Sequence, residues 1–189
     1  MKLFHGSSSR NIGKFNFRHC RKSGTDYGKG VYFTSNFEQA KEWSCKHSKT
    51  GAVYECDVDL SQFLIKEYPK KEEDLLYIIF FCRMNFEDIA CDAVDDFEKA
   101  DVISGLMLGG NIKKFKLWAN RFNRGDIGFD EFSKRVKLFK NGYDQICIKN
   151  QAALNKVNAS IEKVYYTEKS KNGIQVMEEH NRSGEQHEG

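Results

Sequence analysis

The order of apolar and polar positions along the chain predicts strands near both ends with helices between them. Residues 2–7 read as a short strand that stops at the cluster His5-Gly6-Ser7. Residues 8–27 are basic and loop-like. Gly28-Lys29-Gly30 is a glycine turn feeding Val31-Tyr32-Phe33-Thr34, a strand of β-branched and aromatic residues. Ser35 and Glu38 stand at S-x-x-E spacing, which predicts a capping box and a helix over 36–47. Alternation predicts a strand over 53–60, with Tyr54, Cys56 and Val58 on one face and Val53, Glu55 and Asp57 on the other. Leu75, Leu76, Ile79 and Phe80 form an apolar stripe in a helix over 72–98, and a strand follows over 100–104, closed by Gly105. Phe115, Trp118 and Phe122 recur at i, i+3 and i+7, which predicts an amphipathic helix over 112–122. The pattern repeats over 129–139 after the breaker Gly125-Asp126-Ile127-Gly128. A strand over 143–149, a helical turn over 151–155 and a last strand over 159–167 complete the order. Strands early and late around helices predict the α+β class rather than a regular β-α alternation. Beyond residue 167 no aromatic residue occurs, so residues 168–189 are expected to be a flexible tail on a domain spanning 1–167.

Length and composition narrow the class. The 189 residues suit one domain, and 40% hydrophobic residues with 15 Phe, 8 Tyr and 2 Trp supply a core, which excludes wholesale disorder. The longest apolar run, from Leu75 to Cys82, is far short of the ~20 residues that cross a bilayer. The first residues turn polar at once and lack a secretory h-region, so the expected location is the cytoplasm. Six cysteines, at 20, 45, 56, 82, 91 and 147, include no C-x-x-C pair, and reduced, mostly buried thiols fit better than structural zinc. The net charge of +3 is too mild to announce a nucleic-acid binder. Its distribution says more. Residues 85–101 carry seven acids against Lys99, whereas residues 111–125 carry Lys113, Lys114, Lys116, Arg121 and Arg124 with no acid, followed by Lys134, Arg135, Lys137 and Lys140.

Several common chemistries are absent. Gly28-Lys29-Gly30 fails the G-x-G-x-x-G fingerprint because Phe33 occupies the third glycine position, and it leads into a strand instead of a phosphate-binding helix. P-loop, H-E-x-x-H and G-x-S-x-G motifs do not occur. Three segments remain: Leu3-Phe4-His5-Gly6-Ser7, Tyr27-Gly28-Lys29-Gly30-Val31-Tyr32-Phe33, and Tyr143-Asp144-Gln145-Ile146-Cys147-Ile148. In order and spacing they resemble the three strand motifs of the diphtheria-toxin-like and poly(ADP-ribose) polymerase-like ADP-ribosyltransferases. Residues 2–167 also look like a bacterial toxin branch of that superfamily, with a His-Tyr-Gln motif where the family usually has glutamate third.

The resemblance implies the ADP-ribosyltransferase fold, split mixed and antiparallel β-sheets with flanking helices, with NAD as co-substrate and no metal. It assigns catalytic roles to His5, Tyr32 and Gln145 and NAD contacts to His5, Gly6, Ser7, Tyr32 and Trp43. The residue types suit that ligand. Nicotinamide in NAD is a flat pyridinium cation, which aromatic walls hold by stacking and cation–π attraction. Tyr32 would supply one such wall, and the resemblance implies a second aromatic on the helix that follows, where Trp43 stands eleven residues on. Gly6 would allow close backbone approach and Ser7 would add a hydroxyl, while the resemblance implies that His5 holds the adenosine ribose. Alone, each of these equally suits a core tyrosine, a surface tryptophan or a hydrogen-bonded histidine. Gln145 keeps the hydrogen bond to the nicotinamide ribose and loses the charge of a glutamate, which puts chain elongation in doubt. Strand periodicity turns Asp144 to the opposite face. Asp101 is either an auxiliary acid or a strand-end cap. The activity implied is mono-ADP-ribosylation of an intracellular macromolecule by a toxin of a toxin–antitoxin or phage-defence system, with a cognate antitoxin as partner. RNA is favoured over DNA or protein as acceptor, with Lys113, Lys114 and Lys116 meeting phosphates and interleaved Phe115, Trp118, Phe122 and Phe139 stacking on bases. Those rings could equally face the core. The alternatives are an NAD- or ADP-ribose-binding pseudoenzyme and an NAD glycohydrolase.

Overall fold

Eight strands divide into two four-stranded sheets in the computed structural model, which describes residues 1–20, 24–68, 72–84, 97–108, 112–136 and 143–181. The first sheet is antiparallel and runs β1 (Lys2–Ser7), β3 (Thr50–Asp57), β7 (Ile161–Ser170), β8 (Gly173–Asn181). The second runs β2 (Val31–Phe33), β6 (Asp144–Ile148), β5 (Val102–Leu106), β4 (Ile65–Glu67), and is mixed because β4 lies parallel to β5. Phe4 and Thr34 join the sheets, each donating its N–H to the other's carbonyl at 2.8 and 2.9 Å. The described helices are α1 (Phe37–Ser44), α2 (Glu72–Met84), α3 (Ile112–Asn123), α4 (Phe129–Arg135) and α5 (Gln151–Ala159), with one 3-10 turn, Phe17–His19. The class is α+β, with two sheets and flanking helices. No described helix is long and apolar enough to cross a membrane.

Neighbouring residues of β6 serve different cores because successive side chains of a strand face opposite ways. Ile146 and Ile148 pack with Leu3, Phe33, Tyr54, Leu154 and Val157. Cys147 packs with Tyr27, Leu75, Ile79, Ile103, Phe115 and Phe132, under α2, α3 and α4. β6 is thus covered on both faces.

The structure departs from the sequence pattern at several elements. Asn36, not Ser35, caps α1, accepting from the Gln39 N–H at 3.1 Å; Ser35 N–H donates instead to Asp144 at 3.0 Å, and Glu38 pairs with Lys41. Both faces of β3 are buried, Glu55 included. Lys2 Nζ at 2.7 Å and the Tyr165 hydroxyl at 2.6 Å bond the Glu55 carboxylate. Burial alone pushes that carboxyl up, but these two bonds and the Lys2 charge outweigh it and hold it below its usual value. Gly105 does not close β5 but lies inside it, opposite Gln145. A Cβ there would sit 2.5 Å from the Tyr27 hydroxyl. The expected turn at 151–155 is a full helix, capped by Asn150, whose side chain accepts from Ala152 and Ala153. The expected tail is strand as far as Asn181: β8 is mostly exposed, Val176 and Met177 included, and pairing with β7 holds it. α2 is described to Met84 and α4 to Arg135, so residues 85–96 of the acidic run and Lys137, Phe139 and Lys140 lie outside the described residues, as do residues 182–189.

Candidate active site

His5 and Tyr32 meet across the junction of the two sheets. The His5 Nδ1 lies 2.7 Å from the Tyr32 carbonyl oxygen. A carbonyl only accepts, so Nδ1 carries the proton, and the neutral ring presents Nε2 as an acceptor. The ring packs against Phe15, Phe33 and Tyr54, with centroids 4.9, 5.5 and 6.4 Å away. Burial in this aromatic setting lowers its pKa below the usual histidine value, against a smaller upward pull from the Tyr32 carbonyl. His5 is therefore a neutral acceptor at neutral pH.

Tyr32 lies opposite Cys147 in the β2–β6 register, so its side chain shares a face with Cys147 and with Gln145 two residues along. Phe33 and Ile146 face the other way. The His5 ring, beside Phe33, touches Tyr32 through its backbone alone. The Tyr32 hydroxyl donates to the Gly28 carbonyl at 2.7 Å and accepts from the Tyr27 N–H at 3.0 Å. Its ring stacks with Tyr27 at 6.5 Å and 10°, and Tyr27 stacks in turn with Tyr68. Tyr32 belongs partly to the core, and burial, then the neighbouring Cys147, pushes its phenol pKa well up, so it stays protonated. Burial likewise pushes the Cys147 thiol up to about 12, which makes it inert as a nucleophile at neutral pH.

Gln145 and Asp144 diverge as strand alternation requires. Asp144 accepts from the Thr34 hydroxyl and the Ser35 N–H, and its backbone N–H and carbonyl are bridged by the Gln39 carboxamide at 3.1 and 2.6 Å. Gln145 Nε2 donates to Asp26 Oδ2 at 2.5 Å. Asp26 is 3% exposed and also pairs with Arg83 of α2. Sequence reasoning misses both Asp26 and Arg83, because an Asp in a basic loop and an Arg ending a helix carry no motif.

The remaining candidates fall elsewhere. Gly6 is a glycine because α1 crosses it: a Cβ would lie 1.9 Å from the Ala40 carbonyl oxygen. The Ser7 hydroxyl accepts from the Ser9 N–H at 3.1 Å. Trp43 is 41% exposed on α1, and the group over its ring is Lys46 Nζ, 3.4 Å from the centroid, rather than Tyr32. Both Asp101 oxygens are used structurally, one by Asn150 Nδ2 at 2.7 Å and one by the Leu64 N–H at 3.0 Å, so it is a strand-end cap. Lys113, Lys114 and Lys116 are exposed on α3, whereas Phe115 is buried and Trp118 and Phe122 pack against the core. The rings of this helix are not a base-stacking array, though Trp118 keeps Arg121 and Arg135 at 5.1 and 4.7 Å from its ring.

A family model described as "Protein of unknown function (DUF3990)" matches residues 1–158, and the chain belongs to that family. No curated protein and no solved structure matches it.

Proposed function

We propose that the chain is an NAD-dependent mono-ADP-ribosyltransferase of the cytoplasm, acting as a toxin in a toxin–antitoxin or phage-defence system. The observation that carries this reading is that the three motifs adjoin at one junction: His5 Nδ1 bonds the Tyr32 backbone carbonyl at 2.7 Å, and the Tyr32 and Gln145 side chains share one face of β2 and β6. In this reading Nε2 of His5 accepts from the adenosine ribose and the Tyr32 ring walls the nicotinamide. The Gln145 carboxamide oxygen accepts from the nicotinamide ribose. The glycosidic bond breaks to release nicotinamide, and the acceptor's nucleophile bonds to C1 of the ribose as its proton leaves to solvent. With a neutral Gln145 and an inert Cys147, the chain supplies orientation more than base catalysis. RNA is the favoured acceptor because exposed Lys113, Lys114 and Lys116 form one charged stretch of α3.

Labelled NAD offered with separated RNA, DNA and protein fractions tests this reading. Label in RNA with release of nicotinamide supports it. Nicotinamide without macromolecular label makes the chain a glycohydrolase, and NAD binding without cleavage makes it a binding module. Expression without a partner is expected to arrest a bacterial host.

A further inference from the structure

Among the described residues, Asp26 is the one buried carboxylate that bonds a candidate catalytic side chain. Its Oδ2 accepts from Gln145 Nε2 at 2.5 Å and from the Leu108 N–H at 2.9 Å, and its Oδ1 accepts from Arg83 Nε at 2.5 Å and pairs with Arg83 Nη2. Burying a charge is costly unless its hydrogen-bonding capacity is filled. Here four N–H donors fill it. Leu108 N–H is backbone, and Arg83, 12% exposed, is held against the Phe115 ring of α3 at 5.3 Å. Gln145 and Arg83 are both partly exposed, and Gln145 is the donor that lies on the face of Tyr32.

We propose that Asp26 is a positioning residue that locks the Gln145 carboxamide with its nitrogen inward and its oxygen outward. A carboxylate cannot donate, so only Nε2 can face it, and Oε1 is presented as a fixed acceptor. Donation to a charged acceptor also polarises the amide and strengthens Oε1 as an acceptor. The Asp26–Gln145 pair thereby recovers part of the electron density that a glutamate would place at the ribose, while Arg83 balances the buried charge. The role in turnover rests on the NAD-cleaving reading; the lock itself does not. The same loop serves Tyr32, since Tyr27 next to Asp26 donates its N–H to the Tyr32 hydroxyl.

The test uses the full chain as wild type, Asp26→Asn, Gln145→Glu and the double variant, with nicotinamide release and the Gln145 side-chain amide resonance as readouts. In Asp26→Asn the new amide can donate toward Gln145, so the Gln145 carboxamide flips. There kcat is expected to fall about 100-fold, as for a misplaced group, with KM for NAD little changed. Gln145→Glu sets two carboxylates in contact and loses kcat as well. In the double variant the introduced amide donates to the introduced carboxylate, and its kcat is expected to exceed that of both single variants. A folded Asp26→Asn chain with wild-type kcat, or a double variant that fails to exceed both single variants, overturns the proposal. A wild type that releases no nicotinamide refutes the transferase reading alone. The lock is then judged in wild type by hydrogen exchange of the Gln145 side-chain amide: exchange slower than that of exposed Gln175 supports it, and equal exchange overturns it.

Discussion

A methyl group on Gly6 would lie 1.9 Å from the Ala40 carbonyl oxygen, so β1 and α1 are in contact only because position 6 has no side chain. Gly51 of β3 meets the same helix, with a Cβ there 2.3 Å from the Ser44 carbonyl oxygen. Gly6→Ala is therefore expected to destabilise the fold by about 1–3 kcal/mol or more, as overpacking does. Chemical denaturation checks this. Unchanged stability would remove α1 as the reason for the glycine.

His5 gives a pH dependence with a definite sign. Burial lowers its folded pKa below that of the unfolded chain, so the unfolded state takes up the proton more readily. The stability tied to neutral His5 is present above the ordinary histidine pKa of about 6.5 and is lost as pH falls through the lower folded value. NAD turnover is expected to decline in that same acidic window, because a protonated Nε2 no longer accepts. Titration of the His5 ring resonances should give a midpoint below that of free histidine, coincident with the acid limb of the rate profile.

Tyr32 carries structure as well as any ligand contact. Its hydroxyl serves the Gly28 carbonyl and the Tyr27 N–H, so Tyr32→Phe is expected to cost about 1–3 kcal/mol through unsatisfied backbone groups. Tyr32→Ala, which also removes a ring packed against Tyr27, is expected to cost more, about 3–5 kcal/mol. Thermal unfolding of both variants beside wild type checks the order. An activity loss in Tyr32→Ala is thus interpretable only per folded molecule.

On the proposed transferase reading, charge reversal of Lys113, Lys114 and Lys116 is expected to separate acceptor binding from NAD chemistry. These side chains are exposed on α3, so stability should change by about 0.5 kcal/mol or less for each. Nicotinamide release should persist while RNA labelling falls, and the salt slope of RNA binding should drop by about 0.7–0.9 for each phosphate that is no longer neutralised. Unchanged labelling and slope would place the acceptor elsewhere.

The elements legible in the sequence are those with a long apolar period or a β-branched core: α3 from Phe115, Trp118 and Phe122, and β2 and β6 from their central apolar residues. β4 escapes because Ile65–Glu67 is too short to alternate. β8 escapes because its apolar residues, Ile174, Val176 and Met177, are confined to its first half and Val176 and Met177 stay exposed, which leaves a pattern too short to read as a buried strand. Gly105 resembles a terminator because its reason, the Tyr27 hydroxyl, lies 78 positions away along the chain. Of the candidate site, the His5, Tyr32 and Gln145 segments stand out in the sequence by their resemblance to motifs. Asp26 is not, since its meaning comes from Arg83, Leu108 and Gln145, partners that only the fold assembles.

Nicotinamide release from NAD by the purified chain, measured beside Gln145→Ala, is the most direct test of the proposed activity. Time-dependent release by wild type, lost in a Gln145→Ala chain that melts cooperatively, is the predicted result. No release by folded wild-type protein, or equal release by both, would contradict the assignment of NAD chemistry to this site.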